Sequence, residues 1–173
     1  MPENAASYNL FTQAKWLLNI PFKKIDPSQS LETFSLNLNR FTIPSLSVKK
    51  TGASYLGYFI PISTTVRDDS KEITFHYMLS SDWHQFMFLY KWLQMMLVEG
   101  ADKRTKMSDY LLDLTVTILS EFKEPIINIK YYGCWINELG DLDLDYQNPE
   151  SKPIHHHFTC SYSYYIIEDL RQS

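Results

Sequence analysis

Glycine is scarce in this chain, five residues in 173. None of them is gathered into a phosphate-cradling loop, so a nucleotide-binding α/β fold is not expected. Cysteine is scarcer still: Cys134 and Cys160 are the only two. Both lie inside apolar, strand-like runs, which suits reduced, buried thiols rather than a disulfide framework. No run reaches the roughly 18 apolar residues of a membrane-spanning helix, and no basic, apolar, small-residue leader opens the chain. The expectation is a protein that neither spans a membrane nor is secreted. Dense basic clusters are also missing, which argues against a protein that grips nucleic acid.

What is abundant is aromatic. Twelve Tyr, ten Phe and four Trp make up 15 % of the residues, within 45 % apolar and 21 % charged. Ring-rich chains favour extended strands and large interfaces. At 173 residues a fold buries about 70 % of its unfolded surface, so one domain needs no covalent staple. The net charge of −4 is unevenly spread: residues 1–108 carry 12 basic and 9 acidic side chains, residues 109–173 carry 4 and 11. Such polarity suits either an ordinary solvated surface or a subunit that meets its own copies head to tail.

Residues 1–13 read as an N-terminal arm and 14–173 as a single domain. The run from Lys15 to Phe22 is apolar and closed by Pro21, which predicts a short strand. Ser35 to Ile43 alternates, with Leu36, Leu38 and the Phe41–Ile43 end on one face, until Pro44 stops it. Ser45 to Thr65 holds Gly52, Gly57 and Pro61 without a clean period and predicts a long hairpin that is not packed on the main sheet. Lys71 to Leu79 alternates strongly, with Ile73, Phe75, Tyr77 and Leu79 together. Then the period changes. Asp82 is placed to cap a helix with Gln85 reaching back, while Phe86, Leu89/Tyr90, Leu93 and Met96/Leu97 recur at helical spacing before Gly100. The apolar arc is wider than one core contact needs, so Trp83, Met87, Phe88 and Met95 are candidates for contact with a neighbouring subunit.

Ala101 to Asp109 predicts a loop, Leu112 to Ile118 a strand, Glu124-Pro125 a turn, and Ile127 to Tyr132 a further strand. Leu142 to Tyr146 is read as another strand, and Phe158 to Ile167 as the closing one. About seven strands and one substantial helix, without βαβ repeats, fit a mainly β fold: an antiparallel sandwich or barrel with one packed α-helix.

Catalytic and metal chemistry finds little support. His155, His156 and His157 resemble a metal tract, but successive residues of an extended chain face opposite sides, so at most His155 and His157 share a metal and no second pair with ligand spacing is near. Asp141, Asp143 and Asp145 resemble the opening of a calcium loop, yet Leu142 and Leu144 stand between them and the required Gly and closing Glu are missing. No Gly-flanked serine nucleophile exists, and neither cysteine has a signature context. An enzyme is not expected.

The segment Gly133-Cys134-Trp135-Ile136-Asn137-Glu138-Leu139-Gly140-Asp141-Leu142-Asp143-Leu144-Asp145-Tyr146 resembles the C-terminal signature of contractile-tailed bacteriophage tail tube proteins. Gly133, Trp135, Gly140, Leu142, Leu144 and Asp145 carry that likeness, followed by an aromatic-rich strand from His157 to Tyr165. Two positions depart from it: Ile136 stands where the family usually has Pro, and Tyr165 where it prefers Trp. Upstream, Phe41-Thr42-Ile43-Pro44 and the Ser80-Ser81-Asp82 start of the aromatic helix follow in the family's order.

The resemblance implies a tube-forming β-sandwich. Six copies would form a ring whose inner wall is a continuous sheet, and rings would stack into a conduit through which double-stranded DNA slides without specific binding. It places the long hairpin, with Val48, Lys49, Lys50, Tyr55, Leu56, Tyr58 and Phe59, against the adjacent ring. Its partners would be further copies of itself and the tail sheath, baseplate, tape-measure and tail-terminator proteins. It implies no cofactor, and a place in the virion tail after synthesis in the bacterial cytoplasm. Two other readings stay open: a tube of a non-viral contractile injection or secretion system, and a monomeric β-barrel that binds an apolar ligand.

Overall fold

A computed structural model of the chain describes residues 15–21, 25, 38–68, 70–97, 106–142, 144 and 153–172. The expected arm, residues 1–13, lies outside the described residues. Nine strands form: β1 (Lys15–Asn19), β2 (Leu38–Phe41), β3 (Ser47–Tyr55), β4 (Tyr58–Asp68), β5 (Glu72–Met78), β6 (Leu112–Leu119), β7 (Pro125–Leu139), β8 (His155–Ser161) and β9 (Tyr164–Asp169). Two helices, α1 (His84–Gln94) and α2 (Met107–Tyr110), and a 3-10 turn at Leu170–Gln172 complete the described elements. All strand pairs are antiparallel. Seven strands join in the order β1-β6-β7-β8-β5-β2, with β9 also on β7, while β3 and β4 pair only with each other. The fold is mainly β, as the alternation predicts, and the hairpin stands off the main sheet.

Period-two patterning explains the core. Ile73, Phe75 and Tyr77 of β5 point inward, as do Leu112, Leu114 and Val116 of β6 and Phe158 and Cys160 of β8. Phe75 stacks on Phe158 with ring centroids 5.2 Å apart. Tyr131, Tyr162 and Tyr165 form a second aromatic knot, with centroids 5.1 to 5.8 Å apart.

Strand β7 departs most from expectation. The strand expected over Ile127 to Tyr132 runs on through Gly133, which bends it inside one 15-residue strand. Gly133 takes φ +61°, and a Cβ there would lie 2.8 Å from Ser163 Oγ. Its N–H donates to Asp113 Oδ1 at 2.9 Å. Before the bend β7 pairs with β6 and β9; from Trp135 it pairs with β8. A glycine-centred bend lets one strand serve two sheets that face each other.

The closing run is likewise two strands rather than one. The chain bends at Tyr162 and Ser163, beside Gly133, and keeps its direction along β7, held by Tyr162 N–H on Lys71 O (3.0 Å) and Ser163 N–H on Tyr132 O (2.9 Å). Neither Gly nor Pro marks the bend, and Tyr162 and Tyr165 both point inward, so the bulky alternation runs on across it. Asp141, Leu142 and Leu144 lie in no strand; Asp143, Asp145 and Tyr146 are outside the described residues. Pairing ends where Gly140 N–H meets His157 O at 3.0 Å. The loop expected up to Asp109 gives way to α2 at Met107, with 101–105 outside the described residues.

Helix α1 differs in cap and in phase. Trp83 occupies the N-cap position in a left-handed conformation, φ 59°, with no side-chain cap. The Asp82 carboxylate instead accepts from the Ser80 hydroxyl, which also bonds the Gln85 side chain. The buried stripe is Gln85, Phe88, Leu89 and Trp92, about one residue round from the expected one. The pin is Trp92, whose Nε1–H donates to Tyr110 O at 2.8 Å. An almost wholly apolar helix carries no phase signal strong enough to reveal this.

Candidate assembly surfaces

The hairpin of β3 and β4 is the most exposed apolar element. Tyr55 and Tyr58 close its ladder around the two-residue turn Leu56-Gly57, whose φ values are 49° and 82°. Positive φ at both positions is the twist-matched hairpin turn, which favours Asn or Gly first. Leucine there costs about 1–2 kcal/mol, and its side chain is nonetheless 81 % exposed at the tip. The ladder slips between Val48 and Lys50, and the Thr64 hydroxyl donates to the Lys49 carbonyl at 2.6 Å beside the slip. The Phe59 ring lies over Gly52, where a Cβ would fall 1.8 Å from it. All seven expected hairpin residues, Val48, Lys49, Lys50, Tyr55, Leu56, Tyr58 and Phe59, are solvent-exposed. Apolar groups exposed together in this way make the hairpin a candidate interaction surface.

The four helix residues expected at a subunit interface are dispersed. Phe88 is buried in the core of its own subunit, which removes it from any such contact. Trp83 and Met95 are half-buried, Trp83 packing edge-on to Phe86 at 5.7 Å, and only Met87 is exposed. The exposed apolar side of α1 is instead Met87 and Tyr90, continued beyond the helix by Leu97.

A pocket of about 300 Å³ opens beside Met96, Met107, Tyr110 and Trp135. Trp135, on β7 two residues after the bend, is 37 % exposed and forms one wall. It is not sealed in the core. Met96, Met107 and Tyr110 were not singled out from sequence, because a polar stretch precedes Met107 and nothing local announces that these residues meet.

The motif residues serve the backbone rather than one site. Gly133 makes the bend, and Gly140 lies under the His157 ring, where a Cβ would fall 2.3 Å from Cε1. Leu142 is half-buried, Leu144 is 59 % exposed, and Asp145 is outside the described residues.

The three consecutive histidines separate, as strand alternation dictates. His155 bonds Asn39 at 3.1 Å. His156 turns inward, its Nδ1 at 2.8 Å from Tyr77 Oη and its Nε2 at 2.7 Å from Gly140 O. A carbonyl only accepts, so Nε2 carries the proton and Tyr77 donates to Nδ1. Burial, with a smaller contribution from His157, holds His156 below its ordinary pKa, against the opposing pull of the Gly140 carbonyl. His157 faces His76 across the strands, with centroids 5.6 Å apart. Burial, His157 and Arg40 together hold His76 low. Among the described residues no group of three His, Cys, Asp or Glu could hold a metal ion. Both cysteines are free and buried, and burial pushes Cys134 up to about 12 and Cys160 well above its usual value, leaving neither reactive. No helix among the described residues is long and apolar enough to cross a membrane.

No protein-family model matches the sequence, and no curated protein matches it. Solved structures do share the fold. A chain of the sheath–tube complex of the extracellular contractile injection system PVC, in its extended state, aligns with TM-score 0.63 at 10 % identity over 95 % of each chain. The tube-terminating cap of the anti-feeding prophage gives 0.62 at 10 % identity, over 98 % of this chain and 99 % of that one. Hcp1 from Flavobacterium johnsoniae gives 0.50 at 10 % identity, over 88 % and 93 %. The likeness spans nearly the whole chain and concerns architecture: this protein has the tail-tube-like fold of contractile injection systems.

Proposed function

We propose that this chain is a structural subunit of a tube, with copies closing into rings and rings stacking end to end. The observation that carries the reading is the hairpin: a two-stranded arm off the main sheet, tipped by a strained, 81 % exposed leucine, on a tail-tube-like fold. Joining sheets between subunits also covers edge strands that an isolated sandwich leaves open, β2 and β9 among them. The role needs no catalysis and no cofactor. In the finer reading the rings hold six copies, the tube belongs to a bacteriophage tail, double-stranded DNA slides through it, and sheath, baseplate, tape-measure and tail-terminator proteins bind it. A second reading, the tube of a non-viral contractile injection system, is favoured by the likeness to the PVC and anti-feeding prophage assemblies.

Electron microscopy of the concentrated protein tests the common core of both. Rings or tubes with six-fold end views are expected; a monomer that stays dispersed at high concentration overturns the reading. Neighbouring capsid and terminase genes identify the phage system, and their absence beside sheath and baseplate genes identifies the other.

A further inference from the structure

We infer that the hairpin tip of one copy seats Leu56 in the Met96–Met107–Tyr110–Trp135 pocket of another. The inference rests on the proposed stacking and names its acceptor. The tip is apolar against the preference of its own turn, so the leucine is retained at a conformational cost that the subunit alone does not repay. The pocket, about 300 Å³, is of a size for one or two such side chains, since a cavity of roughly 150 Å³ accepts a benzene ring.

Topology decides that the contact runs between copies. Trp135 is level with Ser161, and Ser161 with Glu72, which lies four residues past the end of β4. The pocket wall therefore sits at the hairpin-base end of the sandwich. A ladder of nine residues holds its tip about 30 Å from that base, out of reach of its own pocket. Tip-in-pocket contact then sets each copy about 30 Å beyond the last, a head-to-tail step with no reason to close.

Charge agrees with the same register. Residues 47–64 carry Lys49 and Lys50 and no carboxylate, and these lysines lie about 20–24 Å behind Leu56. Beyond Trp135, β7 runs away from the hairpin end, since Leu139 pairs with Phe158, which is level with Phe75. Exposed Glu138, three residues past Trp135, lies about 10 Å along that path, and exposed Asp141 follows just after the strand ends. With the tip seated, a lysine pair on the arm is matched in sign by an acidic stretch beside the acceptor pocket.

The test is a cysteine pair, made practical by the burial of both native thiols. The double variant Leu56→Cys/Met107→Cys, assembled and treated with a mild oxidant, is expected to give a ladder of covalent multimers on a non-reducing gel, with neither single variant passing the dimer. Tubes without a ladder overturn the seating and leave stacking intact; a parent protein that forms no tubes overturns stacking itself. The Met107→Cys thiol should be labelled by maleimide at least tenfold more slowly in tubes than in dispersed subunits. Equal labelling would mean that the chain's own residues or a small apolar molecule fill the pocket, and the inference fails. Leu56→Asn should leave the melting temperature of dispersed subunits unchanged or raised while lifting the concentration needed for assembly at least tenfold; assembly at the parent's concentration removes Leu56 as the anchor.

Discussion

Gly133 and His156 are the single residues on which most depends. Gly133→Ala forces a Cβ into a left-handed backbone and against Ser163 Oγ, so a loss of about 1–2 kcal/mol from the backbone alone is expected, read as a lower denaturant midpoint. His156 and His76 are both held below the ordinary histidine value of 6.5, chiefly by burial. As pH falls through 6.5 the unfolded chain takes up protons that the folded one refuses, and stability drops until the lowered folded values are passed. Urea midpoints at pH 7.5 and 5.5 should show the fall, and His76→Gln should flatten part of it. An unchanged slope in that variant would assign the effect to other groups. Trp135→Ala should cost less than the roughly 3–5 kcal/mol typical of a fully buried Trp, because one face of the ring already meets solvent. Its larger effect is expected on assembly, measured by sedimentation.

At the scale of elements, the hairpin contributes little to the core and much to contact. Replacing Lys49–Phe59 by a short Gly/Ser turn should leave a folded subunit, with melting temperature changed by a few degrees at most, that no longer forms long tubes. Polymerisation equal to the parent's would place stacking elsewhere. The hairpin was legible in the sequence because exposed rings around Gly57 fit no sheet period, and β5 and β6 because Ile73-Phe75-Tyr77 and Leu112-Leu114-Val116 alternate cleanly. Other elements were not. The phase of α1 depends on Trp92 reaching Tyr110, 18 residues away, and no local pattern encodes that hydrogen bond. The pocket joins residues from Met96 to Trp135 through tertiary packing alone. The Gly133 bend reads as a turn in one dimension because the same glycine chemistry serves both.

Over the whole molecule, both thiols are buried, the histidines are dispersed and the net charge is −4. Untagged protein is expected to carry no stoichiometric zinc by elemental analysis and to bind duplex DNA no tighter than micromolar at physiological salt. A submicromolar affinity would contradict the picture of a passive wall. The course of β7 governs how the sandwich comes apart. Because β7 runs unbroken from the β6–β9 side into the β8 side, neither half of the sandwich can open without tearing hydrogen bonds from the strand that belongs to both. The sandwich should therefore melt as one cooperative unit, with the slowest amide hydrogen exchange along β7, at Ile129, Tyr131 and Ile136, and the fastest in the hairpin. In the proposed tube, load along its length would then be met at the joints between copies, where the arms can let go and re-engage, before any subunit unravels.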